Sequence, residues 1–316
     1  MNRIRLGILF GGTSIENEIS ERSCKNILKY LDDEKYDITL YKLPKTGDRG
    51  WIKEFVNNPP DVVLSALHGG RGENGTIQGF LHTLGIPYVG SKVLSSALCM
   101  DKFMAKTVLK SEKIQVPDGI IIRRGENISS FEAQINELRF PLIVKPNRGG
   151  SSIGLTLVDN MDALKEALSS AMANYDDDIL IEKFIEGNEV SCCVYEDENG
   201  INILSLLDIN KKGMLFEYDD KYSSQSSIAD ISSLNTYIKQ TLENIAFKTF
   251  KSLKCKGYAC VDMIVQDERI YVLEVNTLPG LTEKSLIPCA TTQTPFSFGE
   301  FLDKIISHEL KEYHKK

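Results

Sequence analysis

The sequence predicts an α/β region with a parallel sheet at the start of the chain, followed by a region built from hairpins. In the first region strand, loop and helix patterns alternate, and the first strand, residues 3–10, runs into a turn at 11–14 that holds two glycines. The second region begins near Pro117, and its short strands reach hairpin spacing at 258–265 and 272–275.

The N-terminal elements bring two polar side chains to the edge where parallel sheets bind ligands. The elements predicted before Pro117 are strands at 3–10, 37–43 and 61–67 and helices at 18–31, 76–84 and 95–112. Glu16 follows the first strand and His68 follows the third, so both lie at the carboxyl edge of the sheet. These residues alone leave open an ordinary acid at a helix N-terminus and a solvated loop histidine. No GxGxxG follows the first strand, which excludes the dinucleotide fingerprint.

Composition and charge favour a cytoplasmic protein that acts on small molecules. The 316 residues are 42% hydrophobic, which suffices for two or three modest domains. The net charge of −7, without a basic tract, argues against nucleic acid as a partner. The seven cysteines are scattered without a CxxC pair, so neither a disulfide framework nor a zinc site is expected. No apolar run reaches the length of a membrane span, so no membrane partner is expected.

A lysine and a glycine-rich loop are candidates for binding phosphates. Lys145 lies at the end of the strand predicted at 141–146, and the loop 147–152 offers backbone N–H groups and serine hydroxyls, although it is not a Walker loop. Lys102 lies in the middle of the helix predicted at 95–112, where a lysine is most often on the surface. The elements predicted next are helices at 131–138 and 161–172 and strands at 153–158 and 178–185.

Near the end of the chain, a strand and its hairpin partner carry a candidate magnesium site. Side chains alternate faces along the strand 272–275, so Glu274 and Asn276 point the same way. Asp262 lies on the preceding strand, which is close enough for its carboxylate to reach the same ion. Carboxylate and amide oxygens suit Mg²⁺. The residues alone leave open a half-exposed hairpin with acids on its solvated face.

Ten short segments occur in an order that resembles the D-alanine–D-alanine ligases of the ATP-grasp superfamily. The segments are GGTSIENEIS (11–20), LHGGRGENG (67–75), GIPYVGS (85–91), SALCMDK (96–102), VKPNRGGSSIG (144–154), IEKFIEGNE (181–189), EYDDKY (217–222), CKGYACVD (255–262), EVNTLPGLT (274–282) and KSLIP (284–288). The resemblance implies an α/β N-terminal domain plus two α+β ATP-grasp lobes, whose antiparallel sheets grip ATP. The implied divisions are 1–95, 96–183 and 184–316.

The resemblance also implies a role for individual residues. Those implied in catalysis are Glu16, Ser151, Tyr222, Lys221 and Gly280. Those implied in ATP binding are Lys102, Lys145, Ser152, Glu182, Lys183, Phe184, Ile185 and Glu189. The implied metal ligands are Asp262, Glu274 and Asn276, and the residues implied around the two amino acids are Glu16, His68, Ser285 and Leu286. The implied metal is Mg²⁺ or Mn²⁺, with ATP as co-substrate, and the implied assembly is a homodimer.

The implied reaction joins two D-alanines through an acyl phosphate for peptidoglycan synthesis. Such an intermediate hydrolyses in water, so a lid is expected, and the polar segment 223–232 is its candidate. Phosphoryl transfer needs positioning and charge neutralisation rather than a nucleophilic side chain.

This chain departs from the family at Cys260, where relatives carry an arginine that steadies the acyl oxyanion. Losing one such donor typically lowers kcat by roughly 10²–10³, so we expect Cys260→Arg to raise dipeptide formation. Arg148 is a candidate for replacing the missing charge. The lid differs too, because 230–232 lacks the usual apolar-Pro-Ala segment. Two alternatives therefore stay open: a ligase with a different acceptor, such as another D-amino acid or a hydroxy acid, and a nucleotide-binding paralogue with little catalysis.

Overall fold

In the computed structural model three separate β-sheets organise the chain, which the structure describes over residues 3–150, 153–209, 228–231 and 234–315. The strands are β1 (Ile4–Gly11), β2 (Tyr36–Leu43), β3 (Val62–Ser65), β4 (Gly119–Ile122), β5 (Leu142–Pro146), β6 (Thr156–Val158), β7 (Ile179–Lys183), β8 (Asn188–Asp197), β9 (Gly200–Ile209), β10 (Ile228–Asp230), β11 (Tyr258–Gln266) and β12 (Arg269–Asn276).

Helices cover these sheets. They are α1 (Asn17–Tyr30), α2 (Gly50–Asn57), α3 (Thr76–Thr83), α4 (Val93–Met100), α5 (Lys102–Ser111), α6 (Glu132–Leu138), α7 (Met161–Asn174), α8 (Thr236–Ser252), α9 (Leu286–Thr291) and α10 (Phe298–His314). Among the helices that the structure describes, none is both long enough and apolar enough to cross a membrane.

The first sheet is parallel, in the order β2-β1-β3, as the alternation of N-terminal elements predicts. Its strands are apolar because both faces are covered, and Leu6, Ile8 and Leu64 are fully buried. The same hydrophobic cluster includes Phe301 and Leu302 from α10. The last helix of the chain therefore completes the core of the first sheet.

The second sheet has the order β4-β7-β5-β6, and all of its strand pairs are antiparallel. Helix α7 covers it with Leu164 and Leu168, which lie one turn apart on a single face. The side chain of Asn160 caps this helix by accepting from the backbone N–H groups of Asp162 and Ala163. This sheet carries Lys145 and Glu182 on neighbouring strands.

The third sheet, β10-β9-β8-β11-β12, is also antiparallel, and its two faces bury different cores. Cys192 and Val261 face a cluster that includes Leu242 of α8. Cys193 and Cys260 face the other way and join the core of the first sheet. Because side chains alternate along β8 and β11, one face of this sheet packs against α8 and the other packs against the core of the first sheet.

The single helix predicted at 95–112 was wrong, because the structure has two helices, α4 and α5, that meet at Asp101. The backbone of Asp101 is extended, and its side chain accepts a hydrogen bond from the backbone N–H of Met104 at 3.0 Å. An aspartate in this geometry starts a new helix. Lys102 is consequently the first residue of α5 rather than the middle of a longer helix.

Other boundaries differ by a few residues, and several elements of the second half have no counterpart among the predicted ones. Residues 153 and 154 lie in a turn, so the strand predicted at 153–158 is reduced to β6. In the candidate lid, residues 228–230 form β10 and pair with β9, whereas 223–227 and 232 lie outside the described residues.

Candidate active site

The hairpin β11–β12 places the three candidate metal ligands on one face. Asp262 lies directly opposite Glu274, and Asn276 lies opposite Cys260 in the same register. All three ligand side chains are partly exposed. Ser191 Oγ donates to Asp262 Oδ1 at 2.7 Å, which orients this carboxylate from the neighbouring strand. The prediction that Glu274 and Asn276 share a face is therefore confirmed.

These residues fit a hard divalent cation. Two carboxylates and one amide offer only oxygen ligands, which is the donor set that Mg²⁺ takes, usually together with waters and phosphate oxygens. Nζ of Lys102 lies 3.1 Å from Oε2 of Glu274, so an ammonium group borders the same face. The acids are not on a solvated surface, because the Glu274 side chain is only 26% exposed.

Lys102 connects the β11–β12 hairpin to the glycine-rich loop. Its side chain is 10% exposed, and its Nζ donates to the backbone oxygen of Gly149 as well as pairing with Glu274. Asn147 fixes the start of the loop on α5, since its Oδ1 accepts from the backbone N–H of Phe103 at 2.9 Å. Lys102 is thus a buried site residue rather than a surface lysine.

Lys145 shares its carboxylate partner with a lysine that sequence reasoning missed. Nζ of Lys145 lies 2.7 Å from Oε2 of Glu182. Nζ of Lys106 donates to the other oxygen, Oε1, of the same carboxylate. Lys106 follows Lys102 by four residues on α5, so the two lysines lie on the same helix face. That spacing was the available signal for Lys106.

Burial and opposite charge act against each other in this group. Desolvation lowers the pKa of Lys106 to about 7, although Glu182 favours its charged form. For Lys145 burial also acts downward, but the charges of Glu182 and Glu274 prevail, so its pKa is raised. Burial acts on Glu182 in the opposite sense, yet the two lysines outweigh it and hold the pKa of this carboxyl below its usual range.

Glu16 and His68, two of the residues implied around the first amino acid, are both buried. Glu16 is 8% exposed, and its Oε2 lies 2.7 Å from where a Cβ on Gly69 would stand and 3.9 Å from the corresponding point at Gly150. His68 is buried, and its Nε2 lies 3.0 Å from Ser23 Oγ. The segments that follow β1 and β3 therefore converge with the glycine-rich loop near Glu16. Glu16 is not an ordinary helix cap, since its side chain caps nothing.

Gly280 lies between His68 and Ser285, one of the residues implied around the second amino acid. A Cβ on Gly280 would lie 2.6 Å from Oγ of Ser285 and 3.9 Å from Cε1 of His68. Ser285 precedes α9, and Leu286 is the first residue of that helix. The structure thus gathers His68, Gly280 and Ser285 within one small region.

Two family models match this chain. The D-ala D-ala ligase C-terminus model matches residues 108–307, which is more than half of the chain, and the D-ala D-ala ligase N-terminus model matches residues 52–91. The chain belongs to the D-alanine–D-alanine ligase family. Its ATP-grasp fold and the resemblance read from its motifs are both confirmed.

Relatives within the ligase family match over nearly their whole length. The chain is 39% identical to the D-alanine–D-alanine ligase of Clostridium beijerinckii, with 98% of this chain and 99% of the relative covered. The crystal structure of the Bacillus anthracis D-alanine–D-alanine ligase complexed with ATP has a TM-score of 0.86, 34% identity and 99% coverage of both chains. The VanG D-Ala:D-Ser ligase of Enterococcus faecalis has a TM-score of 0.87 and 28% identity, with 98% and 100% covered.

Residues 182–189, which the resemblance implies in binding adenosine, run from the end of β7 in the second sheet to β8 in the third. Glu182 and Lys183 end β7, and their side chains differ, because Glu182 is buried between lysines while Lys183 is exposed. Phe184 is partly buried and Ile185 is 6% exposed. Glu189 lies on β8 opposite Ile264 of β11. The Glu182 carboxylate is therefore engaged by Lys106 and Lys145.

Cys260, at the position for which the family resemblance implies an arginine, contacts a second cysteine. Both Cys260 and Cys193 are fully buried, and they face each other across β11 and β8. Arg148, the candidate replacement, is 55% exposed, and its ion pairs are with acids at Asp101 and Asp178, among others. The residues opposite Cys260 are Cys193 on β8 and Asn276 on β12, and neither is a cation. Four further implied residues, Ser151, Ser152, Lys221 and Tyr222, lie outside the described residues.

Proposed function

We propose that this chain joins two D-alanines into D-alanyl-D-alanine for peptidoglycan synthesis, converting ATP to ADP and phosphate. The observation that carries the proposal is the 3.1 Å contact between Lys102 Nζ and Glu274 Oε2. The same ammonium group donates to the backbone oxygen of Gly149, so the glycine-rich loop and the β11–β12 hairpin both meet Lys102, which supports a nucleotide–metal site. Full-length relatives named D-alanine–D-alanine ligase support the same reaction.

The reaction begins when a carboxylate oxygen of the first D-alanine attacks the γ-phosphorus of ATP. The bond from that phosphorus to its bridging oxygen breaks, which gives an acyl phosphate and releases ADP. Glu16 holds the ammonium group of this D-alanine, and Lys102 and Lys145 neutralise the phosphates. Asp262, Glu274 and Asn276 would hold Mg²⁺ or Mn²⁺, which would supply positive charge to neutralise the phosphates.

In the second step the amine of the second D-alanine attacks the acyl carbon, and the carbon–oxygen bond to phosphate breaks. The amine loses its proton, and inorganic phosphate leaves. Ser285 and Leu286 bind the carboxylate of this second amino acid, and the backbone at Gly280 faces the acyl oxygen. The buried position of His68 beside Gly280 keeps bulk water away from the acyl phosphate.

The remaining implied roles belong to the same proposal. Ser151 and Tyr222 complete the hydrogen bonds around the first D-alanine, and Ser152 and Lys221 contact the phosphates. Lys183, Phe184 and Ile185 border adenine, and Glu189 binds the ribose. Segment 223–232, most of which lies outside the described residues, stays the candidate lid, and the domains divide at 95 and 183. Further features of the proposal are a homodimer formed through the N-terminal domain, a cytoplasmic location, and neither nucleic acid nor membrane as a partner.

A ligase with another acceptor is the second candidate, and Cys260 favours it. The missing guanidinium alters the acceptor side of the site, and a D-Ala:D-Ser ligase is among the similar structures. A nucleotide-binding paralogue with little catalysis is less well supported, because the phosphate lysines and all three metal ligands are present.

The test is phosphate release from ATP and Mg²⁺ across a panel of D- and L-amino acids and D-hydroxy acids, with the products identified by mass spectrometry. We expect D-alanine alone to sustain turnover and to yield D-alanyl-D-alanine. A mixed product formed faster from D-alanine and a second acceptor would establish the second candidate. ATP binding without turnover on any of these substrates would contradict both.

A further inference from the structure

Lys106 is a buried lysine to which the proposed function gives no role. Its side chain is 7% exposed, and its Nζ donates to Oε1 of Glu182, whose side chain is 3% exposed. The other oxygen of that carboxylate, Oε2, lies 2.7 Å from Nζ of Lys145. Each carboxylate oxygen therefore has its own ammonium partner. We call these three side chains the Lys106–Glu182–Lys145 triad.

The triad carries more positive than negative charge. Two ammonium groups and one carboxylate leave a net charge of +1 when all three are ionised. A buried excess charge is unfavourable unless an opposite charge approaches it. Burial lowers the pKa of Lys106, whereas the pKa of Lys145 is raised by the charges of Glu182 and Glu274. Lys145 is thus the lysine that holds its proton more firmly, which suits a group that meets phosphate.

We propose that Lys106 is a positioning residue for ATP, because it neutralises Glu182 and leaves the charge of Lys145 available to the phosphates. The inference rests on the proposed function, in which Lys102 and Lys145 contact those phosphates. Helix α5 carries both Lys102 and Lys106 and so positions two ion pairs of the site. Its first residue, Lys102, pairs with Glu274, and its fifth residue, Lys106, pairs with the carboxylate that Lys145 also contacts.

The net charge of the triad distinguishes an electrostatic role of Lys106 from a packing role. Without Lys106 the pair Lys145–Glu182 is neutral, so ATP loses an attractive charge. Removing the carboxylate as well restores a net charge of +1, carried by Lys145 alone. If Lys106 acts only by filling space, the second change removes a further contact and cannot restore binding.

The experiment measures ATP affinity by calorimetric titration of the full chain with Mg²⁺ present and D-alanine absent. We expect Lys106→Met to weaken ATP binding about tenfold or more, because one nearby charge is lost. The double variant Lys106→Met/Glu182→Gln should return to within about threefold of the wild type, since its triad charge is again +1. Lys110→Met is the matched control, because Lys110 also lies on α5 and pairs with an acid, Asp118, at 2.8 Å, but is half-exposed. Its ATP affinity should equal that of the wild type.

A double variant that binds ATP no better than Lys106→Met would contradict the charge role. Melting temperatures accompany each titration. If Lys106→Met does not fold, the folded double variant decides alone: binding within threefold supports the inference, and loss of binding contradicts it. A wild type that binds no ATP contradicts the proposed function and this inference with it. A wild type and a Lys106→Met that bind ATP equally well contradict only the role of Lys106.

Discussion

The Sγ atom of Cys260 lies 3.0 Å from the Sγ atom of Cys193, on the neighbouring strand β8. The family resemblance implies an arginine at position 260, whereas this chain has a thiol–thiol contact there, on the same strand as Asp262. Because both thiols are fully buried, an arginine introduced here meets Cys193 before it meets solvent. The size of the residue at position 193 therefore decides whether an arginine fits at position 260.

We predict that Cys193→Ala/Cys260→Arg forms D-alanyl-D-alanine faster than the wild type. Restoring one oxyanion donor is worth roughly 10²–10³ in kcat. Cys260→Arg alone should gain less and melt at a lower temperature, because overpacking a core costs about 1–3 kcal/mol. Cys193→Ala alone is the control and should show no gain. Dipeptide formation is measured by mass spectrometry, and a double variant no faster than the wild type would contradict the role given to position 260.

We predict that Glu274→Gln raises the Mg²⁺ concentration for half-maximal activity and lowers kcat by roughly 10²-fold or more, because one anionic oxygen ligand is lost. It also removes the ion-pair partner of Lys102. Asp267→Asn is the control, since Asp267 lies exposed in the turn between β11 and β12 with φ of 54°, a conformation that asparagine also adopts. Phosphate release is titrated against Mg²⁺, and equal Mg²⁺ curves for both variants would exclude Glu274 as a ligand.

We predict that Gly280→Ala lowers kcat/KM for D-alanine by roughly 10²-fold, since small displacements near the reacting groups have effects of that size. Its Cβ would lie 2.6 Å from Ser285 Oγ, so the serine must move. ATP affinity should stay unchanged. Gly79→Ala in α3 is the control, because its Cβ meets nothing within 4 Å, and it should stabilise the helix by about 0.5–1 kcal/mol. Wild-type kinetics in Gly280→Ala would contradict the placement of Gly280 beside the reacting groups.

We predict that ATP binding weakens as the pH rises from 6.5 to 8.5. The pKa of Lys106 is lowered to about 7 by burial, against the charge of Glu182, while Lys145 lowers it further and Glu274 raises it. A lysine loses its positive charge as the pH passes its pKa, so the triad changes from +1 towards 0 on the alkaline side. In Lys106→Arg the charge persists throughout, because arginine keeps its proton. Titration of ATP itself affects both proteins equally, and parallel pH curves for the two would contradict the prediction.

The sequence could predict features whose cause is local. Alternating side chains put Glu274 and Asn276 on one face, whatever else the chain does. Glycine-rich turns and alternating elements predicted the parallel sheet. The break at Asp101 was missed because an aspartate caps a helix only when its backbone is extended, and a continuous helical pattern does not show this. Lys106 was missed for a related reason, since lysines at helical spacing usually face solvent.

The sequence by itself determined the family, the order of the site motifs and the strand parity of the candidate metal ligands, because these depend on neighbours in the chain. Only the tertiary structure decided which distant groups meet. Lys102 pairs with Glu274, Lys106 and Lys145 share Glu182, and Cys260 faces Cys193. Such contacts join separate elements of the chain. Side chains become buried only when those elements pack together, and burial then shifts the pKa of Lys106 and brings the two thiols into contact.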